Sequence, residues 1–165
     1  MFVTARDARA RHCPRGAVGA VTAAEPGVAE PAVAADALRG LRVLAIDNEP
    51  RVLDGMRALL TKWGCRVAIA LDLREARAAL ATLDGRPDAI VADYHLDEGD
   101  GLSAIAALRH QLGERTPAIL ATADRSVEVR EAAARADVAL LNKPLKPAPL
   151  RAQLRRCQAL REAAE

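Results

Sequence analysis

The sequence predicts an α/β fold in which five parallel strands form a doubly wound sheet with helices on both faces. From residue 41 onward, short apolar runs alternate with amphipathic stretches. This alternation is typical of buried parallel strands joined by right-handed helical crossovers. The composition agrees, since 51% of the 165 residues are hydrophobic and 28% are charged, as in a globular domain with one core.

The first strand and helix follow from apolar spacing and from two turn residues. Residues 41–47, LRVLAID, form a short apolar run that predicts strand β1. Pro50 suits the first turn of a helix, and apolar side chains then recur at helical spacing as far as Trp63. Gly64 can adopt the left-handed conformation that ends helices. We therefore predict helix α1 between Pro50 and Gly64.

The middle of the sheet is predicted in the same way. Residues 65–70 predict strand β2 and residues 87–94 predict strand β3, since each is a short apolar run. Between them, Asp72 and Glu75 have the spacing of a capping box. They predict the start of helix α2, whose inward-facing apolar side chains continue as far as Leu83.

The last strands and helices complete the alternation. Helix α3 is predicted over about 102–112, where a glycine ends it, and strand β4 over 116–122. Helix α4 is predicted over about 126–136, with the serine at its start as the cap. Strand β5 is predicted over 138–142, and helix α5 follows the proline-rich residues 143–149.

Residues 1–38 differ from the rest of the chain. They are rich in alanine, proline and glycine and show neither the strand period nor the helix period. Such a segment buries too little apolar surface to offset the entropy of ordering it, so we predict that it is flexible. The predicted domain covers residues 39–165.

Charge and composition exclude several classes of partner. The chain has 24 Lys and Arg against 22 Asp and Glu, a net charge of +2, whereas a nucleic-acid binder usually has a concentrated basic face. Only 2% of its residues are aromatic, too few for base stacking. No apolar run is long enough to cross a membrane, and the three cysteines form no disulfide or zinc pattern. We therefore predict a cytoplasmic protein that binds neither nucleic acid nor membrane.

Polar residues lie at the predicted carboxyl ends of four strands. They are Asp47, Asp93, Thr122 and Lys143, at the ends of β1, β3, β4 and β5. In an open parallel sheet these ends form the ligand crevice, at the point where the strand order reverses. With the strand order 2-1-3-4-5, β1 and β3 are neighbours, so the two aspartates are expected to face each other. Each residue alone is more often a helix cap or a solvated charge, but the four together indicate a site.

The predicted site suits phosphate chemistry. Two carboxylates in one cleft repel each other, and a divalent cation with oxygen ligands, such as Mg²⁺, relieves that repulsion. One carboxylate oxygen can then attack a phosphoryl group and form an acyl phosphate. The lysine supplies a positive charge, and the threonine a hydroxyl donor, to the phosphoryl oxygens.

Over roughly residues 41–160, four motifs in order resemble the receiver domain of two-component response regulators. The motifs are IDNEP, VADYHL, LATA and NKP. The longer strings around them are most similar to receivers at the C-terminus of hybrid sensor histidine kinases. The resemblance implies a flavodoxin-like fold and a phosphoacceptor that takes its phosphoryl group from a histidine kinase or a histidine phosphotransfer protein.

The resemblance also implies a role for each site residue. Asp93 corresponds to the phosphorylated aspartate, while Thr122 and Lys143 correspond to the switch hydroxyl and the phosphate-pairing lysine. The peptide bond between Lys143 and Pro144 is expected to be cis. The Mg²⁺ ligands implied in this way are Asp47, Asn48, Asp93 and the main-chain carbonyl of His95.

Two positions depart from the pattern of the family. Asn48 replaces the second acidic residue of the pocket, so metal affinity is expected to fall, with neighbouring Glu49 compensating in part. Leu140 replaces an aromatic residue that family members often have three positions before the lysine. We therefore expect phosphorylation to be transmitted by shifts of loops and helices at the α4–β5–α5 face, the surface formed by those three elements. The same face is a candidate homodimer interface.

Two alternatives to a phosphoacceptor follow from these departures and from the chemistry. The changes at Asn48 and Leu140 also suit a phosphorylation-independent pseudo-receiver that binds partners through the unmodified α4–β5–α5 face. An aspartate-nucleophile phosphatase uses similar chemistry, but it generally needs a second aspartate where His95 stands. The sequence has no histidine-kinase motif, and we expect no output domain after helix α5. We therefore expect a non-enzymatic module whose output is a partner protein, or that has no output and acts as a phosphate sink or relay.

Overall fold

The computed structural model describes residues 38–165. The strands of this part are Arg42–Ile46 (β1), Arg66–Ala70 (β2), Ala89–Asp93 (β3), Ala118–Thr122 (β4) and Ala139–Asn142 (β5). Its α-helices are Pro50–Lys62 (α1), Leu73–Ala79 (α2), Gly101–Leu112 (α3), Val127–Arg135 (α4) and Pro147–Ala164 (α5). Apart from Leu38, the segment predicted to be flexible lies outside the described residues.

All five strands pair in parallel in the order β2-β1-β3-β4-β5. This confirms the predicted doubly wound sheet of the flavodoxin type. The register aligns Ile46 with Ala92 and Asp93 with Ala121, so the carboxyl ends of β1, β3 and β4 reach the same edge. The strand order reverses between β1 and β3, which is where such sheets bind ligands.

Helices cover both faces of the sheet because successive strand side chains point to opposite sides. Helices α2, α3 and α4 cover one face, where the buried strand side chains include Leu44, Ile90 and Leu120. Helices α1 and α5 cover the other face, over Val43 and Val91. Within residues 38–165, none of these helices has the length and apolar character needed to cross a membrane.

The turn chemistry expected around α1 and α2 is present. Asp72 Oδ1 accepts a hydrogen bond from the Glu75 amide at 2.7 Å at the start of α2. Gly64, just past α1, has the left-handed φ of +86°. Helix α2 is shorter than predicted, because the chain tightens after Ala79 into a 3₁₀ turn, Leu80–Leu83, as is common at helix ends.

Helix α5 starts earlier than predicted. Helix α5 begins at Pro147 rather than after residue 149, because a helix tolerates proline in its first turn, where amide groups have no intrahelical acceptor. At the end of the segment predicted to be flexible, the Leu38 side chain is fully buried. Its carbonyl also accepts a hydrogen bond from the Leu41 amide at 3.1 Å, so Leu38 packs with the domain.

Candidate functional site

The strand ends bring the four sequence-predicted polar residues to one edge of the sheet. Asp47 follows β1 and Asp93 ends β3, and the register of these two strands makes the aspartates neighbours. Thr122 ends β4. Lys143 follows β5, and its amide donates a hydrogen bond to the Thr122 carbonyl at 2.8 Å. The predicted site is therefore continuous across four strands.

Lys143 forms ion pairs with both aspartates. Its Nζ lies 3.0 Å from Oδ2 of Asp47 and 3.2 Å from Oδ2 of Asp93. The aspartate side chains are 1% and 7% exposed, whereas the lysine side chain is 22% exposed. Burial disfavours the charged amine, but the hydrogen bond to Asp47 and the charges of both aspartates outweigh burial and raise the pKa of Lys143. One positive charge thus faces two buried carboxylates.

The chemistry of these side chains fits a divalent cation. Asp47 and Asp93 supply hard oxygen atoms, which Mg²⁺ prefers. The amide of Glu49 donates a hydrogen bond to Oδ1 of Asp47 at 2.9 Å and orients that carboxylate. Within residues 38–165, no three Asp, Glu, His or Cys side chains are grouped so that they could hold a metal by themselves. A cation here therefore needs amide, main-chain or water oxygens as further ligands, a mixed set that Mg²⁺ accepts.

The Asn48 side chain joins two loops at the mouth of the site. Its Nδ2 donates a hydrogen bond to Oδ1 of Asp97 at 2.9 Å. This bond links the loop after β1 to the loop after β3. Asp97 is not among the residues predicted from the sequence. Its place in the acidic loop that follows Asp93 is the sequence feature that points to it.

Thr122 and His95 differ strongly in exposure. Thr122 is fully buried, and its Oγ1 accepts a hydrogen bond from the Asp124 amide at 3.0 Å. The side chain of His95 is exposed and packs edge-on against the ring of Tyr94, with centroids 4.9 Å apart. The imidazole thus lies on the surface. The predicted role of His95 as an Mg²⁺ ligand concerns its main-chain carbonyl and not this side chain.

The segment around β5 carries the lysine and Leu140, one of the two positions that depart from the family pattern. The Lys143–Pro144 bond is cis, as the resemblance implies. Leu140 is half-buried, pairs with Leu120 of β4, and packs against the core layer under α2, α3 and α4. The aliphatic side chain of Leu140 therefore occupies the position, three residues before Lys143, at which the family that the sequence resembles often has an aromatic residue.

An apolar groove opens beside the site. It has a volume of ≈ 640 Å³ and lies between α1 and the start of α5. Lys143 and Glu49 are among its lining residues, so the groove reaches the ion pairs. The apolar lining side chains include Val52, Met56, Leu59, Pro144, Leu145 and Leu150.

Gly101 lets the first turn of α3 approach the end of β3. Its amide donates a hydrogen bond to the Tyr94 carbonyl at 2.9 Å. A methyl group at Gly101 would collide with the main-chain carbonyl of Asp93 and with Cδ1 of Leu120. Because the carbonyl belongs to the sheet and cannot easily move, the absence of a side chain is needed for this contact.

We expect Gly101→Ala to lower the free energy of unfolding by about 2 kcal/mol, as overpacking a core does. Urea denaturation measures the change. The matched control is Gly55→Ala in α1, where an added methyl meets open space; it is expected to be neutral or to stabilise the helix by up to about 1 kcal/mol. If Gly101→Ala were as stable as the wild type, the inferred collision would be refuted.

Comparison with protein families matches residues 43–155 to the response regulator receiver domain. The chain is 36% identical over 92 residues to response regulator MprA of Mycolicibacterium vanbaalenii, an alignment that covers 56% of this chain and 38% of MprA. It is 33% identical over 115 residues to a 14.6 kDa protein of Leptolyngbya boryana, covering 68% of this chain and 86% of that protein. The chain thus spans less than two fifths of the length of MprA.

The fold is also similar to that of solved structures. Chemotaxis protein CheY4 of Vibrio cholerae superposes with a TM-score of 0.65 and 28% identity. The superposition covers 72% of this chain and 98% of CheY4. The matched part of this chain thus spans almost the whole length of CheY4.

Proposed function

The chain belongs to the response regulator receiver family, and from this premise we propose that it accepts a phosphoryl group on Asp93 in a two-component system. The observation that carries the proposal is the pairing of one lysine with two buried carboxylates at the ligand edge of the sheet. The positive charge of Lys143, next to a carboxylate that can act as the nucleophile, suits the binding of a phosphoryl group.

Hydrogen bonding distinguishes the proposed nucleophile from its neighbour. Asp47 uses both oxygens, since Oδ1 accepts from the Glu49 amide and Oδ2 pairs with Lys143. Asp93 pairs with Lys143 only through Oδ2, and among residues 38–165 nothing hydrogen-bonds its Oδ1. Asp93 therefore has a carboxylate oxygen available for attack, while Asp47 is held in place.

In the proposed reaction, a carboxylate oxygen of Asp93 attacks the phosphorus of a phosphohistidine on a partner. A P–O bond forms as the P–N bond breaks, and the imidazole leaves with the bonding electron pair and takes up a proton. Lys143, 3.2 Å from Asp93, then pairs with the phosphoryl oxygens. The oxygen of Thr122 already accepts from Asp124, so its hydroxyl hydrogen is left to donate to the phosphoryl group.

We propose Mg²⁺ as the cofactor. When bound, it neutralises the negative charge of the carboxylates and of the phosphoryl oxygens. The amide of Glu49 and the amine of Lys143 hold the two carboxylates in position. The proposed ligands are Asp47, Asn48, Asp93 and the main-chain carbonyl of His95.

The proposed phosphoryl donor is a histidine kinase or a histidine phosphotransfer protein. The apolar groove between α1 and α5 reaches Lys143, so a helix docked there would present its histidine to Asp93.

We propose the α4–β5–α5 face as the output surface and candidate homodimer interface. Two large apolar side chains support this proposal. Within residues 38–165, Val127 of α4 is 55% exposed and Leu160 of α5 is 59% exposed, and exposed apolar side chains are typical of interaction surfaces. The proposed module is cytoplasmic and non-enzymatic, with no nucleic acid or membrane as partner.

Intact-mass measurement tests the proposed acceptor. The protein is incubated with Mg²⁺ and a small phosphodonor such as phosphoramidate. The wild type is expected to gain one phosphoryl group and Asp93→Asn none, because an amide oxygen cannot form the acyl phosphate. Asp84→Asn, which changes an exposed aspartate paired with Arg66, is the matched control and should be phosphorylated like the wild type. Undiminished phosphorylation of Asp93→Asn would refute the site assignment.

A second candidate function is the phosphorylation-independent pseudo-receiver. It is favoured by Asn48, whose neutral side chain adds no carboxylate to those of Asp47 and Asp93. Titration with Mg²⁺ distinguishes the two functions. Binding that is lost in Asp93→Ala supports the phosphoacceptor, whereas a wild type that neither binds Mg²⁺ nor accepts a phosphoryl group supports the pseudo-receiver.

A further inference from the structure

A hydrogen bond between two loops lies at the mouth of the proposed site. Nδ2 of Asn48 donates to Oδ1 of Asp97 at 2.9 Å, although the residues are 49 positions apart in the chain. Asn48 directly follows the buried Asp47, and Asp97 lies in the loop that follows Asp93. The bond therefore sets a carboxylate of one loop against the neutral amide of the other, and each of these loops follows a strand end that carries a buried aspartate.

The direction of this bond decides which Asn48 atom is left for a ligand. An ionised carboxylate can only accept hydrogen bonds, so the amide nitrogen of Asn48 has to face Asp97. Within residues 38–165, the amide oxygen of Asn48 has no hydrogen-bond donor. Oxygen is also the atom that a hard divalent cation binds. The bond to Asp97 thus keeps the ligating atom of Asn48 free.

The same contact changes the charge near the site. Lys143 lies within 3.2 Å of both Asp47 and Asp93 and balances one of their two negative charges. Asn48 adds no charge of its own. Asp97, which is hydrogen-bonded to Asn48, supplies a negative charge close to the position where Asn48 replaces an acidic residue. This charge attracts a cation even though solvent screens it.

We propose that Asp97 is a positioning residue for the divalent cation and that it acts through Asn48. It holds the amide of Asn48 by the nitrogen and adds the charge that Asn48 lacks. Hydrogen-bonded partners of metal ligands commonly have this role. The compensation expected of Glu49 is assigned instead to Asp97, because the hydrogen bond that Glu49 donates to Asp47 comes from its main-chain amide. The inference rests on the proposed function, since it concerns the same cation.

The affinity for Mg²⁺, measured by isothermal titration calorimetry, tests this role. Asp97→Ala removes the acceptor and the charge, and it is expected to weaken binding about tenfold, as changes to the partners of metal ligands do. Asp97→Asn keeps an acceptor and removes only the charge, so its smaller loss should shrink as salt is raised. Glu98→Gln removes a neighbouring exposed charge of the same loop and, as the matched control, should bind almost like the wild type.

A double-mutant cycle separates a role through Asn48 from a general effect of loop charge. Asn48→Asp brings a carboxylate to that position and is expected to bind Mg²⁺ more tightly than the wild type. In that background the hydrogen bond to Asp97 no longer exists, so adding Asp97→Ala should cost little. An equal loss of affinity in both backgrounds would contradict the role through Asn48.

The outcomes separate this inference from the proposed function. If Asp97→Ala binds Mg²⁺ like Glu98→Gln, the role of Asp97 is overturned while the phosphoacceptor function stands. If the wild type binds no Mg²⁺, both the role of Asp97 and the cofactor are overturned. Phosphorylation of Asp93, followed by intact mass in the same samples, reports on the acceptor independently. Urea denaturation of each variant confirms that it is folded before titration.

Discussion

The Lys143→Met variant is expected to lose about 3 kcal/mol of unfolding free energy at neutral pH, the low end of the range for breaking a buried ion pair. In the wild type the amine lies 3.0 Å from Asp47 and 3.2 Å from Asp93, both almost completely buried. Removing it leaves two neighbouring carboxylates without a compensating charge. The low end applies because the lysine side chain is 22% exposed, so solvent screens part of the interaction.

Urea denaturation without Mg²⁺ measures this loss. Lys146→Met, which changes an exposed lysine of the same loop, is the matched control and should stay close to the wild type. Adding Asp93→Asn to Lys143→Met removes one of the repelling charges and should recover part of the stability. Equal stability of Lys143→Met and Lys146→Met would show that the ion pairs do not stabilise the fold.

The same lysine is expected to matter for phosphorylation. If its charge pairs with the phosphoryl oxygens, Lys143→Met should slow phosphorylation of Asp93 about 100-fold, as loss of one electrostatic donor does in other active sites. The rate is followed by intact mass with phosphoramidate as donor. An unchanged rate would place Lys143 outside the reaction.

The Asp88→Asn variant is expected to lose about 3 kcal/mol of unfolding free energy at pH 7, since it breaks a buried charge pair. The Asp88 side chain is 6% exposed; its Oδ1 lies 2.8 Å from Nη2 of Arg42, and its Oδ2 lies 3.3 Å from Nη1 of Arg161. Oδ2 also accepts a hydrogen bond from the Arg42 amide at 2.8 Å. These contacts connect β1, the start of β3 and the end of α5, and a neutral amide cannot replace them.

The effect of Asp88→Asn is expected to depend on pH. Burial raises the pKa of Asp88, but the hydrogen bonds and charge of Arg42 outweigh burial, so the pKa is lower than its usual 3.8. A carboxyl whose pKa is lower in the folded state stabilises the fold above its unfolded pKa and loses that contribution as pH falls through the folded pKa. The loss of unfolding free energy in Asp88→Asn, relative to the wild type, should therefore be complete at pH 7 and become smaller as the pH falls below 3.8.

Urea denaturation over a pH series provides the measurement for Asp88. The control is Asp84→Asn, which removes an exposed ion pair with Arg66, 67% and 51% exposed respectively. We expect it to change stability by no more than about 1 kcal/mol. If Asp88→Asn lost the same amount of unfolding free energy at acidic pH as at pH 7, the loss would be due to altered packing and not to the charge of Asp88.

The strand ends and the site residues they carry could be predicted because they depend on local pattern. Each short apolar run marks the place of a strand, and the polar residue at or just after its carboxyl end marks the edge of the sheet. Asp47, Asp93, Thr122 and Lys143 could therefore be assigned to one edge once the strand order was assumed. Parallel pairing then brings them together without further information.

Contacts between distant loops could not be predicted in this way. Asn48 and Asp97 are 49 positions apart, and Arg42 and Asp88 are 46 positions apart; neither pair has a repeat or spacing that marks it. Leu38 follows an alanine-rich stretch without periodicity, and the neighbouring turn is closed by a hydrogen bond from Gly40 to the distant Gly64 carbonyl at 2.9 Å. Such pairings depend on how the loops close, which apolar periodicity does not encode.

Identifying the modified residue in the phosphorylated wild type most directly tests whether a strand-end carboxylate beside Lys143 is the phosphoryl acceptor. Borohydride reduces an aspartyl phosphate to homoserine, so mass spectrometry of peptides locates the modified position. We predict homoserine at position 93 and at no other aspartate. Homoserine at position 47, or at a residue away from this edge of the sheet, would contradict the assignment of the site.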